Sequence, residues 1–234
     1  YSGLAEVRAC LESLLSWRSE LQGEVIVIND CSPEPAIDEF LSRLERESRI
    51  TLLKNDENLG FVKSCNRAAA LRPDNDFILL NADTEVHGNW LDRMVAHADT
   101  ASDIASITPF SNNATIASYP RGGARRETRA DIRVAQIDEA MSLANAGESV
   151  PLPTAVGFCM WVSRAAWQEA GGFDERFGRG YGEEVEFCMA TAANGWRHLL
   201  ACDVFVYHAG GTSFGYESEQ LKAKAQQIID DRFP

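Results

Sequence analysis

The chain has 234 residues, 45% hydrophobic and 24% charged, with a formal net charge of −13. That length supports one α/β domain with a sizeable core or two small ones, and the mix is that of a folded protein rather than a disordered one. No run of Lys and Arg offers a broad basic face, which argues against a nucleic-acid partner. A chain this acidic can still bind a diphosphate where a divalent cation neutralises the phosphates, so a phosphate site here calls for a metal site. The six cysteines (Cys10, Cys31, Cys65, Cys159, Cys188 and Cys202) are scattered with no CxxC pair. They are expected as reduced, mostly buried thiols of a cytosolic protein rather than as a disulfide framework or metal cluster. The longest apolar stretches, such as Phe77 to Leu80, are too short to span a bilayer, and there is no signal-peptide pattern.

Val7, Leu11, Leu14 and Leu15 share one helical face, so the chain opens with an amphipathic helix. Val25 to Ile28 is a continuous apolar, β-branched run ending at Asn29-Asp30-Cys31-Ser32, the pattern of a buried parallel strand and a polar turn. Ile37, Phe40, Leu41 and Leu44 repeat at helical spacing. A short strand, Ile50 to Leu53, leads through the loop Lys54 to Gly60 into a helix carrying Cys65, Ala68, Ala69 and Leu71, which stops before Pro73. The strand Phe77 to Leu80 ends at Asn81-Ala82-Asp83, the next helix carries Trp90, Leu91, Met94 and Val95, and a strand follows from Ile104 to Thr108. This alternation predicts an open, mostly parallel α/β sheet flanked by helices.

Residues 110 to 130 change character, being rich in Ser, Asn, Gly and Arg, with Arg121, Arg125, Arg126 and Arg129 close together. A loop of that length is usually functional or mobile. Beyond it come a helix around Val134, Ile137 and Met141, a strand from Ala155 to Val162, and a glycine-rich turn from Gly171 to Gly182. A helix from about Glu183 to Ala193, a strand from about His198 to Tyr207 and a helical tail from Glu217 to Arg232 complete the chain. The charged face of the tail predicts peripheral packing.

Ligands of open α/β sheets collect beyond the carboxyl ends of the strands, where Asp30, Asn81, Asp83 and His208 lie. Each also has an ordinary structural role: turn former, helix cap or hydrogen-bonded strand end. Asn81 and Asp83 are two apart, so in extended backbone they point to one side, a spacing suited to a hard cation with oxygen ligands. Glu183, Glu184 and Glu186 lie at a helix start, where acidity complements the helix dipole. That accounts for the charge but not for the tight glycine-rich loop before it. Adjacent carboxylates repel, which raises the pKa of one towards a value useful to a general base.

Taken together, these pieces resemble the family 2 glycosyltransferases, particularly the bacterial rhamnosyltransferase-like members. The matching segments are Val27 to Ser32, Asn58-Leu59-Gly60-Phe61 with Asn66, Leu80 to Thr84, Gly157 to Met160, Gly172 to Glu175 leading to Glu183 to Cys188, and His208 before Ser213-Phe214-Gly215. Each is weak alone; the ordered set is specific. The resemblance implies a GT-A fold with a Rossmann-like sheet and a smaller acceptor-side portion. Tyr1 would stand at the end of a first strand that is otherwise missing. It implies nucleotide contacts by Asp30, Asn58, Asn66 and Asn81, a Mn²⁺ or Mg²⁺ ion held by Asp83 and His208, and acceptor contacts at Gly157 and Trp161. The acidic pair Glu183-Glu184 would supply the base. Two departures stand out: Asn81 replaces the first Asp of the DXD motif, and Glu184 stands where Asp is commoner, which leaves the assignment within the pair open.

The implied organisation is a catalytic domain over 1–216, its nucleotide-binding half about 1–109 and its acceptor half about 110–216. A C-terminal helix over 217–234 would lead to a further segment of a longer polypeptide. The expected activity is inverting transfer of a sugar from a nucleotide diphosphate, UDP or dTDP, to a hydroxyl of a saccharide, lipid-linked or protein acceptor in polysaccharide biosynthesis. The expected location is cytoplasmic, with peripheral contact to the inner face of the membrane as a variant of it. The alternative is a non-catalytic nucleotide-sugar binding module. A nucleotidyltransferase is disfavoured because no glycine-rich basic phosphate loop is present near the N-terminus.

Overall fold

The structure is a computed structural model, described over residues 3–16, 23–120, 134–210 and 218–233. Helix α1 (Leu4–Ser16) buries Val7, Cys10 and Leu11, and α2 (Pro35–Arg46) buries all four residues of its apolar repeat. Between and after them, β1 (Ile26–Asn29) and β2 (Thr51–Lys54) pair in parallel, as a strand–helix–strand crossover requires. Their apolar residues join those of α1 and α2 in one core cluster.

A five-stranded sheet holds the rest of the core. It contains β3 (Phe77–Leu80), β5 (Ile104–Phe110), β6 (Ser149–Leu152), β7 (Cys159–Val162) and β8 (Arg197–Phe205), ordered β3-β7-β5-β8-β6. Helices α3 (Phe61–Ala70), α4 (Trp90–Ala98), α5 (Val134–Ala144), α6 (Arg164–Ala170), α7 (Glu183–Ala192) and α8 (Ser218–Arg232) complete the architecture. The α/β expectation holds, but the strand directions are more mixed than a mostly parallel sheet. Parallel pairing is confined to β1–β2 and β5–β8 among the described residues, while β7 runs antiparallel to both β3 and β5. The reason is that β7 comes from the second half of the chain and slots between two strands of the first, with no short crossover to force its direction.

Two elements escape the apolar pattern. β6 contains Pro151, which has no N–H for a ladder, and it lies at the sheet edge where that is tolerated. α6 is only 7 residues long, and it ends on Gly171 in the left-handed region, with Gly172 N–H bonded back to the Trp167 carbonyl at 3.0 Å. The strand expected from Ala155 begins only at Cys159. Before it, the amides of Ala155 and Val156 bond to Cys188 Sγ and Thr108 Oγ1 rather than to a neighbouring strand.

Within the described residues β1 pairs only with β2, and β3 only with β7. Their free edges line one cleft together with α1 and α3. The first strand implied by the resemblance, with Tyr1 at its end, lies outside the described residues, as do the arginine-rich segment 121–133 and Ser213-Phe214-Gly215. The cysteines described are free thiols, most of them buried, and no helix of the described residues is long and apolar enough to cross a membrane.

Candidate functional site

The carboxyl end of β3 leads through a turn at Ala82-Asp83 into β4 (Thr84–Glu85), which pairs antiparallel with β9 (Tyr207–His208). The register sets Thr84 opposite His208, so residues 124 positions apart in sequence are neighbours. Because residues 82 and 83 turn rather than extend, the alternation expected of Asn81 and Asp83 does not apply. What meets Asp83 is His208, with Nε2 3.4 Å from the Asp83 carboxylate. Gly210 N–H donates to the other carboxylate oxygen at 3.0 Å. Burial opposes ionisation of Asp83, but the His208 ring and the Gly210 amide outweigh it and hold the carboxyl below its ordinary range.

The orientation of His208 is fixed from behind. Its Nδ1 lies 2.7 Å from the carbonyl oxygen of Asn113, which can only accept, so Nδ1 carries a proton and donates it. The Asn112 side chain clamps the His208 backbone, accepting from its N–H at 2.8 Å and donating to its carbonyl at 2.9 Å. In neutral imidazole, Nε2 then turns a lone pair towards a carboxylate, an arrangement that needs a positive charge between them. A ring proton or a metal ion satisfies it, and a backbone carbonyl behind the other nitrogen is the usual support of a metal-binding histidine. This donor set fits a divalent cation completed by phosphate oxygens and water, as Mg²⁺ and Mn²⁺ bind. No group of three His, Cys, Asp or Glu converges among the described residues.

Asp30, at the end of β1, organises the loop before α3. One carboxylate oxygen accepts from Asn55 Nδ2 at 2.7 Å and Leu59 N–H at 2.8 Å; the other accepts from Gly60 N–H at 2.9 Å. Asn58 Nδ2 reaches the Asp30 carbonyl at 3.3 Å. Gly60 is required there: its φ is 82°, and a Cβ would lie 2.6 Å from Arg179 Cα. Asn66, for which the resemblance implies a nucleotide contact, lies apart from this loop. Its amide donates to the Phe173 carbonyl at 2.9 Å and accepts from Phe173 N–H at 3.0 Å, tying α3 to the turn after α6, and it does not line the cleft.

The acidic pair opens α7 behind a segment in which Gly178, Gly180, Tyr181 and Gly182 all have positive φ. Tyr181 at 74° is a strained position for a non-glycine residue, of a kind that clusters at functional sites. Glu183 is 4% exposed, and burial followed by the charge of Glu184 raises its pKa to about 8. Glu184 is half-buried on the cleft wall, and burial raises its pKa as well, against the lowering influence of neighbouring backbone amides. The Oε2 atoms of both are enclosed with no protein hydrogen-bond partner. Gly157 lies beside Glu184: a Cβ at this position would meet Glu184 Cγ at 3.8 Å, an ordinary contact.

One cleft of about 2120 Å³ is lined by Asp30, Asn58, Asn81, Asp83, His208, Gly157, Glu183 and Glu184. That is larger than an ordinary small-molecule pocket because it continues between β1 and β3. Trp161 lines the cleft but is 6% exposed and packs into the core cluster of Ile107 and Leu199. Residues that sequence reasoning missed are Asn112 and Asn113, which set His208, and Arg179, Tyr181 and Lys222 on the cleft rim. Asn112 and Asn113 follow β5 directly, so their position at a strand's carboxyl end was the available signal.

The structure thus combines a mixed α/β fold with acidic and histidine groups gathered in one cleft. The sequence profile described as glycosyl transferase family 2 matches residues 1–170, and the chain belongs to that family. Among solved structures it is similar to GalNAc-T7 with UDP, GalNAc and Mn²⁺, at 16% identity and a TM-score of 0.73, over 98% of this chain and 46% of that one. It is also similar to the mannosyltransferase PcManGT from Pyrobaculum calidifontis in complex with GDP-Man and Mn²⁺, at 15% identity and a TM-score of 0.62, over 98% of this chain and 59% of that one. These likenesses establish the GT-A-like fold. The chain thus spans about half the length of these structures, and no curated protein matches its sequence.

Proposed function

We propose that this domain is an inverting glycosyltransferase that uses a nucleoside diphosphate sugar, UDP- or dTDP-linked, with Glu184 as the base that deprotonates an acceptor hydroxyl. The observation that carries this reading is an enclosed carboxylate pair in the same cleft as a histidine whose free nitrogen faces Asp83. Residues 1–109 would form the nucleotide half and 110–216 the acceptor half. The two similar solved structures hold UDP or GDP-Man together with Mn²⁺, which supports the donor class and the metal.

Within the cleft, Asp30 and Asn58 shape the loop that receives the nucleoside, and Asn81 continues that wall towards the phosphates. Asp83 and His208 would hold a Mn²⁺ or Mg²⁺ ion; when bound, it supplies positive charge for the leaving diphosphate. Glu183 and Glu184 divide the acid–base work by environment. Glu183, the more enclosed, retains the proton near neutral pH, and this relieves its repulsion of the Glu184 carboxyl at the cleft wall, whose own pKa burial raises. Gly157, next to Glu184 on the cleft wall, would border the acceptor. Attack by a hydroxyl deprotonated there is a single displacement, which inverts the anomeric centre.

Glu184→Gln keeps the side chain's size but cannot take a proton. Turnover, read as donor hydrolysis or transfer with Mn²⁺ present, should fall roughly 10²-fold or more, with donor affinity within about twofold. A folded variant with near-wild-type turnover removes Glu184 from this role. A wild-type domain that binds donor but turns over none favours a non-catalytic binding module.

A further inference from the structure

Helix α8 meets the acidic segment at three points. Ala225, its one buried residue among those described, packs against Gly182, where a Cβ would come within 2.9 Å of the Ala225 Cβ. Lys222 places its ammonium 5.6 Å from the Tyr181 ring centroid and lines the cleft beside Glu183 and Glu184. Arg232, in the last turn, pairs with Glu186 and lies 3.6 Å from Asp174. Glu186 is 3% exposed and sits one helical step from the acidic pair. Ile228 and Ile229 anchor the helix on the core cluster that holds Phe173, Phe177 and Phe187.

The segment so contacted has a strained backbone. Gly178 to Gly182 follows a 3₁₀ turn at Glu175–Phe177 with backbone in the left-handed region at four positions, a conformation that persists only when its surroundings enforce it. Its described backbone bonds include Phe61 N–H to the Arg179 carbonyl at 3.1 Å, Gly178 N–H to the Glu175 carbonyl at 3.0 Å and Gly180 N–H to the Phe177 carbonyl at 3.4 Å. Gly182 is bonded through its carbonyl to Glu186 N–H at 2.9 Å, a bond internal to the start of α7. From outside that turn, α8 packs on it together with the Phe177 ring. A carboxylate as enclosed as Glu186 without a cation would be drawn towards water and would carry the first turn with it.

We propose that α8 is the positioning element of the acidic pair, and that Arg232 acts on catalysis through Glu186 without touching substrate. The inference rests on the transferase reading for its kinetic part and on geometry alone for its structural part. In proton transfer, small displacements matter: a misplacement of about 1 Å can cost roughly 10²-fold.

The test compares Arg232→Met, Arg232→Lys and the double variant Arg232→Met/Glu186→Met in the full chain, after melting curves show each to be folded. Arg232→Met should lower kcat about 10-fold or more, with donor KM within about twofold. Arg232→Lys should recover most of that loss, and so should the double variant, because it removes the unpaired buried charge. Amide hydrogen exchange over residues 180–186 should speed up about 10-fold or more in Arg232→Met and return towards wild type in the double variant, with β5 and β8 unchanged. Unaltered exchange in that segment, or an active wild type with kcat of Arg232→Met within twofold of it, overturns the proposal. Should the wild type lack turnover, the transferase reading falls, and exchange alone decides whether α8 holds the segment.

Discussion

Glu183 should be an energetic liability, and Glu183→Gln exposes it. The ordinary glutamate pKa of 4.5 is raised to about 8 by burial and by the charge of Glu184. The folded protein therefore holds this proton more tightly than the unfolded chain. The associated stability is fully present below about pH 4.5 and is lost as pH rises through about 8. Across that window the loss has an upper bound of about 5 kcal/mol, of which about 3 kcal/mol is reached by pH 7. Relaxation and the shared titration with Glu184 reduce it, so a gain of roughly 1–3 kcal/mol at pH 7 is expected on substitution. Glutamine resembles the protonated side chain in shape and neutrality, so little packing is disturbed. Melting curves from pH 5 to 8 provide the assay, with ~2–4 °C in Tm per kcal/mol for a domain of this size. Wild type should lose stability through this range while Glu183→Gln follows a flatter curve and gains most at the alkaline end. Parallel curves across the range, or a variant less stable than wild type at pH 8, would refute the assignment of a retained proton to Glu183.

Three further outcomes follow from the same geometry. Asp30→Ala leaves the Leu59 and Gly60 amides without their acceptor, so it should cost about 1–3 kcal/mol of stability as well as weaken nucleotide binding; denaturant melts check the first and calorimetry the second. Nucleoside diphosphate affinity should fall at least tenfold with EDTA, and again in Asp83→Asn and His208→Ala with Mn²⁺ present; equal calorimetric affinity with and without EDTA would remove the metal from this site. An extended apolar strand joined ahead of Tyr1 should raise Tm by several degrees by pairing the free edges of β1 and β3, and an unchanged melting point would show that these edges need no partner.

Legibility in the sequence followed the range of the interactions involved. Ile37, Phe40, Leu41 and Leu44 announce α2 because one helix face must be apolar whatever it packs on, and all four are buried. Strand direction carries no such local mark. Cys159 to Val162 reads as a buried strand, but only tertiary placement between β3 and β5 makes it antiparallel to both. Pro151 and the short α6 were hidden because edge pairing and a left-handed cap, rather than periodicity, support them.

The site divides along the same line. Asp83 and His208 were legible as strand-end residues, but their meeting depends on the β4–β9 register, and the tautomer of His208 depends on a carbonyl from the loop after β5. Asn58 and Asn66 belong to the same motif and are the same residue type, yet one lines the cleft and the other locks Phe173. Spacing explains the difference: on α3, Asn66 falls towards the turn after α6, while Asn58 precedes the helix at the level of Asp30. A motif thus reports which residues gather near a ligand, and side-chain hydrogen-bond saturation separates those free to touch it from those that hold the frame. The Oε2 atoms of Glu183 and Glu184 have no protein hydrogen-bond partner, whereas Asp30 already accepts three donors on its carboxylate and so holds the loop.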